Sequence, residues 1–257
     1  MNRQRFFFSF LGLLVGSAIG FAVANSVART ALKPPQSFAD ARIRAAAPVA
    51  SGGEPQSSND DDPALTLSSD ELRNAINRGD ANPSDRALQL NLGRALYLYA
   101  GHARDAALLP AALRFIKRAV DAQPRDPEAN ALLGNILFDL AQTSDLKYLA
   151  EARQAYLEAL QAWPSDPDVL TGLGRTYHFD KPPNARSAIA AYEKALKADA
   201  RHEAAMQNLI NALLDERRHQ EAKRRLEDLR QINPANAGLS NLQARLAQAG
   251  GAQQDRR

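Results

Sequence analysis

From Ser68 onward, apolar residues return at intervals of three and four with polar residues between them, the pattern of helices that bury one face. Ser68 and Glu71 form an S-x-x-E capping box ahead of Leu72, Ala75 and Ile76, so a helix is expected to start there. The pattern then repeats in pairs. Leu92-Gly93 with Leu96, Leu133-Gly134 with Leu137, Leu173-Gly174 with Tyr177, and Leu209-Ile210 with Leu213 mark four first helices. The second helices are marked by Ala112, Ile116, Ala119 and Val120; by Ala152, Tyr156, Ala159 and Leu160; by Ala188, Tyr192, Ala195 and Leu196; and by Ala222, Leu226 and Leu229. Pro124, Pro164 and Pro234 close three of the units, and Ala200 stands in that place in the other. "RDPEA" and "SDPDV" then open the next helix with an acidic residue and a proline at the first helical position.

The amino-terminal part reads differently. Phe6 to Ala24, "FFFSFLGLLVGSAIGFAVA", carries no charge and, at about 1.5 Å per residue, is near the length needed to cross a hydrocarbon core of about 30 Å. Residues 30–67 mix Pro, Ser, Gly and Ala with the acidic cluster Asp60, Asp61 and Asp62, and no apolar period survives. A flexible linker is expected there, with a root-mean-square reach of about 30 Å.

A register kept over four units has a steric explanation. Glycine after leucine lets a second helix cross close by, alanine fills the crossing at no steric cost, and the large residue four positions later plugs the gap to the next unit. The pattern resembles the tetratricopeptide repeat (TPR) family over about residues 68–248. The resemblance implies an all-α, right-handed TPR-type α-solenoid of helical hairpins, here preceded by one transmembrane helix and a flexible linker. Four domains are expected: an anchor at 1–29, a disordered linker at 30–67, the repeat domain at 68–248 and a disordered tail at 249–257. Ser68 to Gly79 and the segment with Leu239, Leu242 and Leu246 are expected to act as the lids a solenoid needs at its ends. The marker spacing from Leu209 to Ala222 is shorter than those from Leu92 to Ala112, Leu133 to Ala152 and Leu173 to Ala188, so the first three hairpins carry extra residues in their turns. Such insertions collect on one face of a solenoid.

Two readings of residues 1–29 stay open. An uncleaved signal-anchor is favoured by the length of the apolar run; a cleaved secretory signal is allowed by Ala22-Val23-Ala24. Arg3 and Arg5 place the amino terminus in the cytoplasm, so the repeats are expected in the periplasm, attached to the bacterial inner membrane by a single pass. Gly12, Gly16 and Gly20 recur every four residues and form a smooth stripe through which two such helices could pack as a homodimer.

Composition removes several function classes. With 45% hydrophobic and 24% charged residues, the chain has enough apolar content for a folded domain and is not disordered as a whole. The isoelectric point near 9.3 invites a nucleic-acid reading, but Arg217, Arg218, Lys223, Arg224 and Arg225 alternate with Asp215, Glu216, Glu221 and Glu227. That mixture is a solvated helix face, so no nucleic-acid partner is expected. Cysteine is absent, which excludes disulfides, thiolate metal sites and covalent haem attachment. "HEAAM", from His202, lacks the second histidine of a zinc-protease helix, and "GLGRTY", from Gly172, lacks the third glycine and preceding strand of a dinucleotide loop. No metal, cofactor or enzymatic activity is expected.

What remains is a binding surface. In the family it resembles, the inner face comes from the first helices, at the positions one and four after the marker glycine. Carried over, these are Arg94 and Tyr97, Asn135 and Phe138, Arg175 and His178, and Asn211 and Leu214. Amides to pair a peptide backbone, guanidinium groups for carboxylates and aromatics for apolar anchors suit a protein or peptide partner. The architecture is similar to the membrane-tethered repeat subunits of bacterial cytochrome c assembly, which implies a non-catalytic scaffold for an exported or membrane complex. The alternatives are a structural, self-associating membrane module and, if the amino terminus is cleaved, an exported soluble adaptor.

Overall fold

The computed structural model describes residues 68–254. The expected anchor, its stripe of Gly12, Gly16 and Gly20, and the linker lie outside the described residues. Among those described, no helix is long and apolar enough to cross a membrane.

The described residues form ten α-helices and no strand. Helix α1 (Ser69–Ala81) is followed by hairpins α2 (Arg86–Ala103) and α3 (Leu109–Ala122), α4 (Pro127–Thr143) and α5 (Tyr148–Ala162), α6 (Pro167–His178) and α7 (Ala185–Ala198), and α8 (Glu203–Asp215) and α9 (His219–Ile232). Helix α10 (Leu239–Gln254) closes the array and runs past the boundary expected at 248. The extra residues were expected in the turns, but in the first two hairpins most of them lengthen the first helix, α2 running on to Ala103 and α4 to Thr143, and only in the third do they lie in the turn, between His178 and Ala185; a 3-10 turn, Ala106–Leu108, occupies the first turn.

Local chemistry sets the helix starts. The Ser68 capping box is complete: the Ser68 hydroxyl accepts from the Glu71 amide, and the Glu71 carboxylate accepts from the Ser68 amide at 2.9 Å. Asp126 and Asp166 cap α4 and α6, each with proline in the first turn. Where the third unit lacks proline, His202 caps α8 instead, its Nδ1 accepting from the Ala205 amide at 3.1 Å while its Nε2 meets Asp168 at 3.0 Å. "HEAAM" is therefore a helix start tied to the preceding hairpin.

The small residues sit where backbones approach, with one refinement. A Cβ on Gly134 would lie 2.7 Å from ring carbons of Tyr156, and one on Gly174 would lie 2.5 Å from the Tyr192 ring. The clearance left by the marker glycine is thus filled chiefly by the large residue of the second helix. Tyr156 also covers Gly172 of the next unit at 2.5 Å, so one ring joins two hairpins. Ala112, Ala152, Ala188 and Ala222 are all fully buried at the crossings. At the ends, Gln89 is buried and donates to the carbonyls of Gly79 and Asn82, fixing α1 as a lid, while Leu239 and Leu242 of α10 cover the last core.

Consecutive first helices, α2 to α4, α4 to α6, α6 to α8 and α8 to α10, are in contact, whereas no second helix packs comparably on the next second helix. An array that touches along one side and splays along the other bends toward the touching side. The first helices therefore line the concave face.

Candidate functional site on the concave face

The structure places all eight expected residues on the first helices but gives them unequal access to a partner. Tyr97, Phe138 and Leu214 are buried, and Phe138 is only 1% exposed. They support the face from beneath, because the position four after the glycine turns toward the neighbouring first helix. The Tyr97 hydroxyl donates to Asp139 at 2.9 Å, a bond between α2 and α4 inside the core.

The residues directly after the marker position are mostly spoken for. Arg94 donates to Glu128 at the start of α4. Asn135 accepts from the Tyr156 hydroxyl at 2.8 Å. The Asn211 side-chain oxygen accepts from Arg245 of α10, which also bonds Asp215 at 2.8 Å. The first and last of these bonds link neighbouring units and the second closes its own hairpin, so three of the four polar positions are engaged within the fold.

Arg175 differs. Its guanidinium lies over the Phe138 ring at 4.0 Å and has no carboxylate partner among the described residues. Phe138 meets Phe179 edge-on at 5.7 Å, and Phe179 is 42% exposed. His178 lies between Phe179 and Tyr192, with ring centroids 5.4 Å and 6.5 Å away. Its Nε2 meets Asp215 at 2.8 Å, while its Nδ1 is buried without a partner. The Tyr192 hydroxyl is likewise buried and unpaired. Burial pushes the Tyr192 phenol well up, and the nearby Arg175 charge only partly opposes the rise, so the group stays neutral.

The neighbouring carboxylates are already engaged. Asp180 accepts from Arg153 at 2.6 Å, with the Arg153 guanidinium stacked on Tyr177 at 4.5 Å, and Asp215 is shared by His178 and Arg245. Phe179, Tyr192, Arg153 and Arg245 were not legible as site residues. Phe179 follows α6 outside the repeat register, Tyr192 reads as a core residue, Arg153 reaches the face from a second helix, and Arg245 reaches it from the closing helix α10.

A cleft of about 650 Å³ opens on another surface, lined by Leu113, Arg114, Lys117, Leu140 and Tyr148. Its cations are neutralised in place: Arg114 and Arg118 bind Asp80 at 2.9 Å, and Lys117 meets Glu151 at 3.2 Å. Although burial works against it, the bonds from Arg118 and Arg114 hold the Asp80 carboxyl below its ordinary range.

Comparison with known proteins agrees with this architecture. The tetratricopeptide repeat family model matches residues 184–246, which run from the cap of α7 into α10. Over residues 184–246 the chain is thus similar to tetratricopeptide repeats. The hairpins before them share the same fold, as solved TPR structures show. MamA is 22% identical, with a TM-score of 0.52, and the match covers 65% of this chain and 89% of MamA. TTC0263, a thermophilic TPR protein of Thermus thermophilus, is 20% identical at a TM-score of 0.52, covering 70% of this chain and 88% of that one. YrrB, described as a TPR protein with an unusual peptide-binding site, is 17% identical at a TM-score of 0.52, covering 72% and 87%. At these identities the likeness speaks for the fold. No curated protein matches the chain.

Proposed function

We propose that this chain is a non-catalytic TPR scaffold that binds a protein or peptide partner on the concave face of its first helices. The observation that carries the reading is the surface at the end of α6. There a half-buried guanidinium without a carboxylate stands beside an exposed aromatic ring, in a face whose other polar residues are paired. Such a combination offers a charged contact and an apolar anchor at one place, which is how grooves of this kind hold extended segments. The peptide-binding site of the fold neighbour YrrB supports the same use of the architecture.

We further propose that the apolar run from Phe6 to Ala24 anchors the scaffold in the bacterial inner membrane, with the repeats in the periplasm at the end of the 30–67 linker. Assembly of an exported or membrane complex, cytochrome c maturation among them, is the setting that this arrangement suits. An intact mass of the membrane-extracted chain that retains residues 1–24 is the expected result; loss of that segment would replace the anchor by a soluble adaptor.

The groove is tested by site-specific photocrosslinking in cells. A photoreactive residue at Arg175 or Phe179 should yield a defined adduct with another protein, whereas the same residue at Leu157 or Trp163, exposed on and after α5, should not. Equal crosslinking at all four positions, or none at the first two, would contradict the concave-face reading.

A further inference from the structure

The first helices of neighbouring hairpins are tied by different chemistry. Between the first and second hairpins, Arg86 and Arg94 of α2 bind Asp126 and Glu128 at the start of α4. An arginine keeps its charge over the whole physiological range. Between the third and fourth hairpins, α6 is tied to α8 through histidine at both ends. His178, the last residue of α6, meets Asp215 at the end of α8 at 2.8 Å, and His202, which caps the start of α8, meets Asp168 in the first turn of α6 at 3.0 Å. Histidine is the side chain that changes charge near neutral pH.

Both rings are committed to one neutral tautomer. The Ala205 amide donates to His202 Nδ1 at 3.1 Å, so that nitrogen holds a lone pair and Nε2 carries the hydrogen given to Asp168. Asp215 already accepts from Arg245, so His178 also donates from Nε2, and its Nδ1 is the buried nitrogen without a partner. A second proton must therefore enter at Nδ1 in each ring. At His202 it sets N–H against N–H, removes the acceptor that caps α8 and places positive charge at a helix start. At His178 it charges a buried nitrogen that nothing pairs. The carboxylates pull the other way, but Asp168 and Asp215 are 40% and 48% exposed, and Asp215 is shared with Arg245, so the gain is small. Of the remaining groups near His178, Arg175 one turn earlier and Arg245 from α10 oppose a further charge, Tyr192 of α7 is neutral, and Asp180 is held by Arg153. Near His202, Glu203 is held by Asn233 and Asn236, and Asp166 caps α6.

We propose that the junction of the third and fourth hairpins is an acid-sensitive hinge, closed while His178 and His202 are neutral donors to Asp215 and Asp168 and released when the two rings take up a second proton. The junction of the first and second hairpins, tied through arginine, stays closed in the same acid. The hinge is a property of the array itself and holds whatever the concave face binds.

Spin-label distances on the full chain in detergent test it. The sequence has no cysteine, so a pair of introduced cysteines carries the labels. Lys197→Cys with Gln231→Cys, exposed near the ends of α7 and α9, reports on the hinge; Asp121→Cys with Gln161→Cys, at the matching places on α3 and α5, reports on the first junction. Distances are compared at about pH 8 and about pH 5.5, the interval in which an imidazole ordinarily changes charge. The 197–231 distance should lengthen by about 2 Å or more in acid, and the 121–161 distance should stay constant. His178→Gln combined with His202→Asn keeps a donor for Asp215 and a capping oxygen for α8 but takes up no proton, so it should hold the distance found at the higher pH and lose the acid shift. Asp166, whose carboxyl is pushed up by burial and by the neighbouring Asp168 charge, is retained in that variant. An acid shift that persists there would assign the response to carboxylates and overturn the hinge, as would equal shifts of both label pairs or no shift in the wild-type background. If the variant differs from wild type already at the higher pH, the imidazole nitrogen resonances of the wild-type chain decide instead. The distance change must then follow protonation of His178 and His202, and a change completed while both rings remain neutral would sink the proposal.

Discussion

The second and third hairpins were built from nearly the same parts, and the contrast between them separates what holds the solenoid from what it presents. Both use a marker glycine, a fully buried alanine and a tyrosine ring filling the glycine's clearance. In the second, every polar atom of that device finds a partner within the fold. In the third, replacing asparagine by arginine leaves the packing unchanged and the polar chemistry open. Packing and presentation are thus separable in this array, and one residue decides which a hairpin does.

The shared steric part should fail equally in both hairpins. Tyr156→Ala and Tyr192→Ala each empty a fully enclosed ring site, with an expected loss of about 3–5 kcal/mol in urea unfolding. A much smaller loss at one of them would show that the two rings do not play the same role. Next in size, Gly134→Val and Gly174→Val force a side chain into space held by a buried ring and should each cost about 3 kcal/mol, the upper part of the usual overpacking range.

The unshared part should split them. Tyr156→Phe removes a bond to Asn135 and should cost about 1 kcal/mol, whereas Tyr192→Phe removes an unsatisfied donor and should be neutral or stabilising. Equal losses from the two changes would erase the contrast. The smallest effect lies away from both hairpins, at Asp80. Its folded-state pKa is lowered, so its contribution is present above the unfolded carboxylate range and is lost as pH falls through the folded value. Asp80→Asn should therefore destabilise at neutral pH by less than about 1 kcal/mol, as for other exposed pairs, and the difference from wild type should vanish in acid. A difference that persists at low pH would mean that Asp80 acts by packing.

The hairpins and their crossings were legible because they rest on local sterics. Alanine, glycine and tyrosine are constrained by how closely helices approach, and that constraint repeats in the sequence wherever the approach repeats. The caps at Ser68, Asp126 and Asp166 were legible for the same reason, each acting within one turn of chain. The pairing on the concave face was not, since it depends on what lies one unit away. Arg94 to Glu128, Asp168 to His202 and Asn211 to Arg245 are each 34 residues apart, one repeat length, and only the stacked structure shows which of them meet. Tyr97, Phe138 and Leu214 were expected at the surface because their position lines the groove in the family; here the neighbouring first helix covers them. The open state of Arg175 was hidden in a single substitution that the repeat pattern tolerates.

A double-mutant cycle between Arg175 and Tyr192, read by urea unfolding, tests the contrast most directly. Arg175→Asn should give Tyr192 the acceptor that Tyr156 already has. On that background Tyr192→Phe should become destabilising by about 1 kcal/mol, although it is neutral or stabilising in the wild-type chain. An identical effect of Tyr192→Phe on both backgrounds would contradict the claim that arginine at 175 is what leaves the third hairpin open.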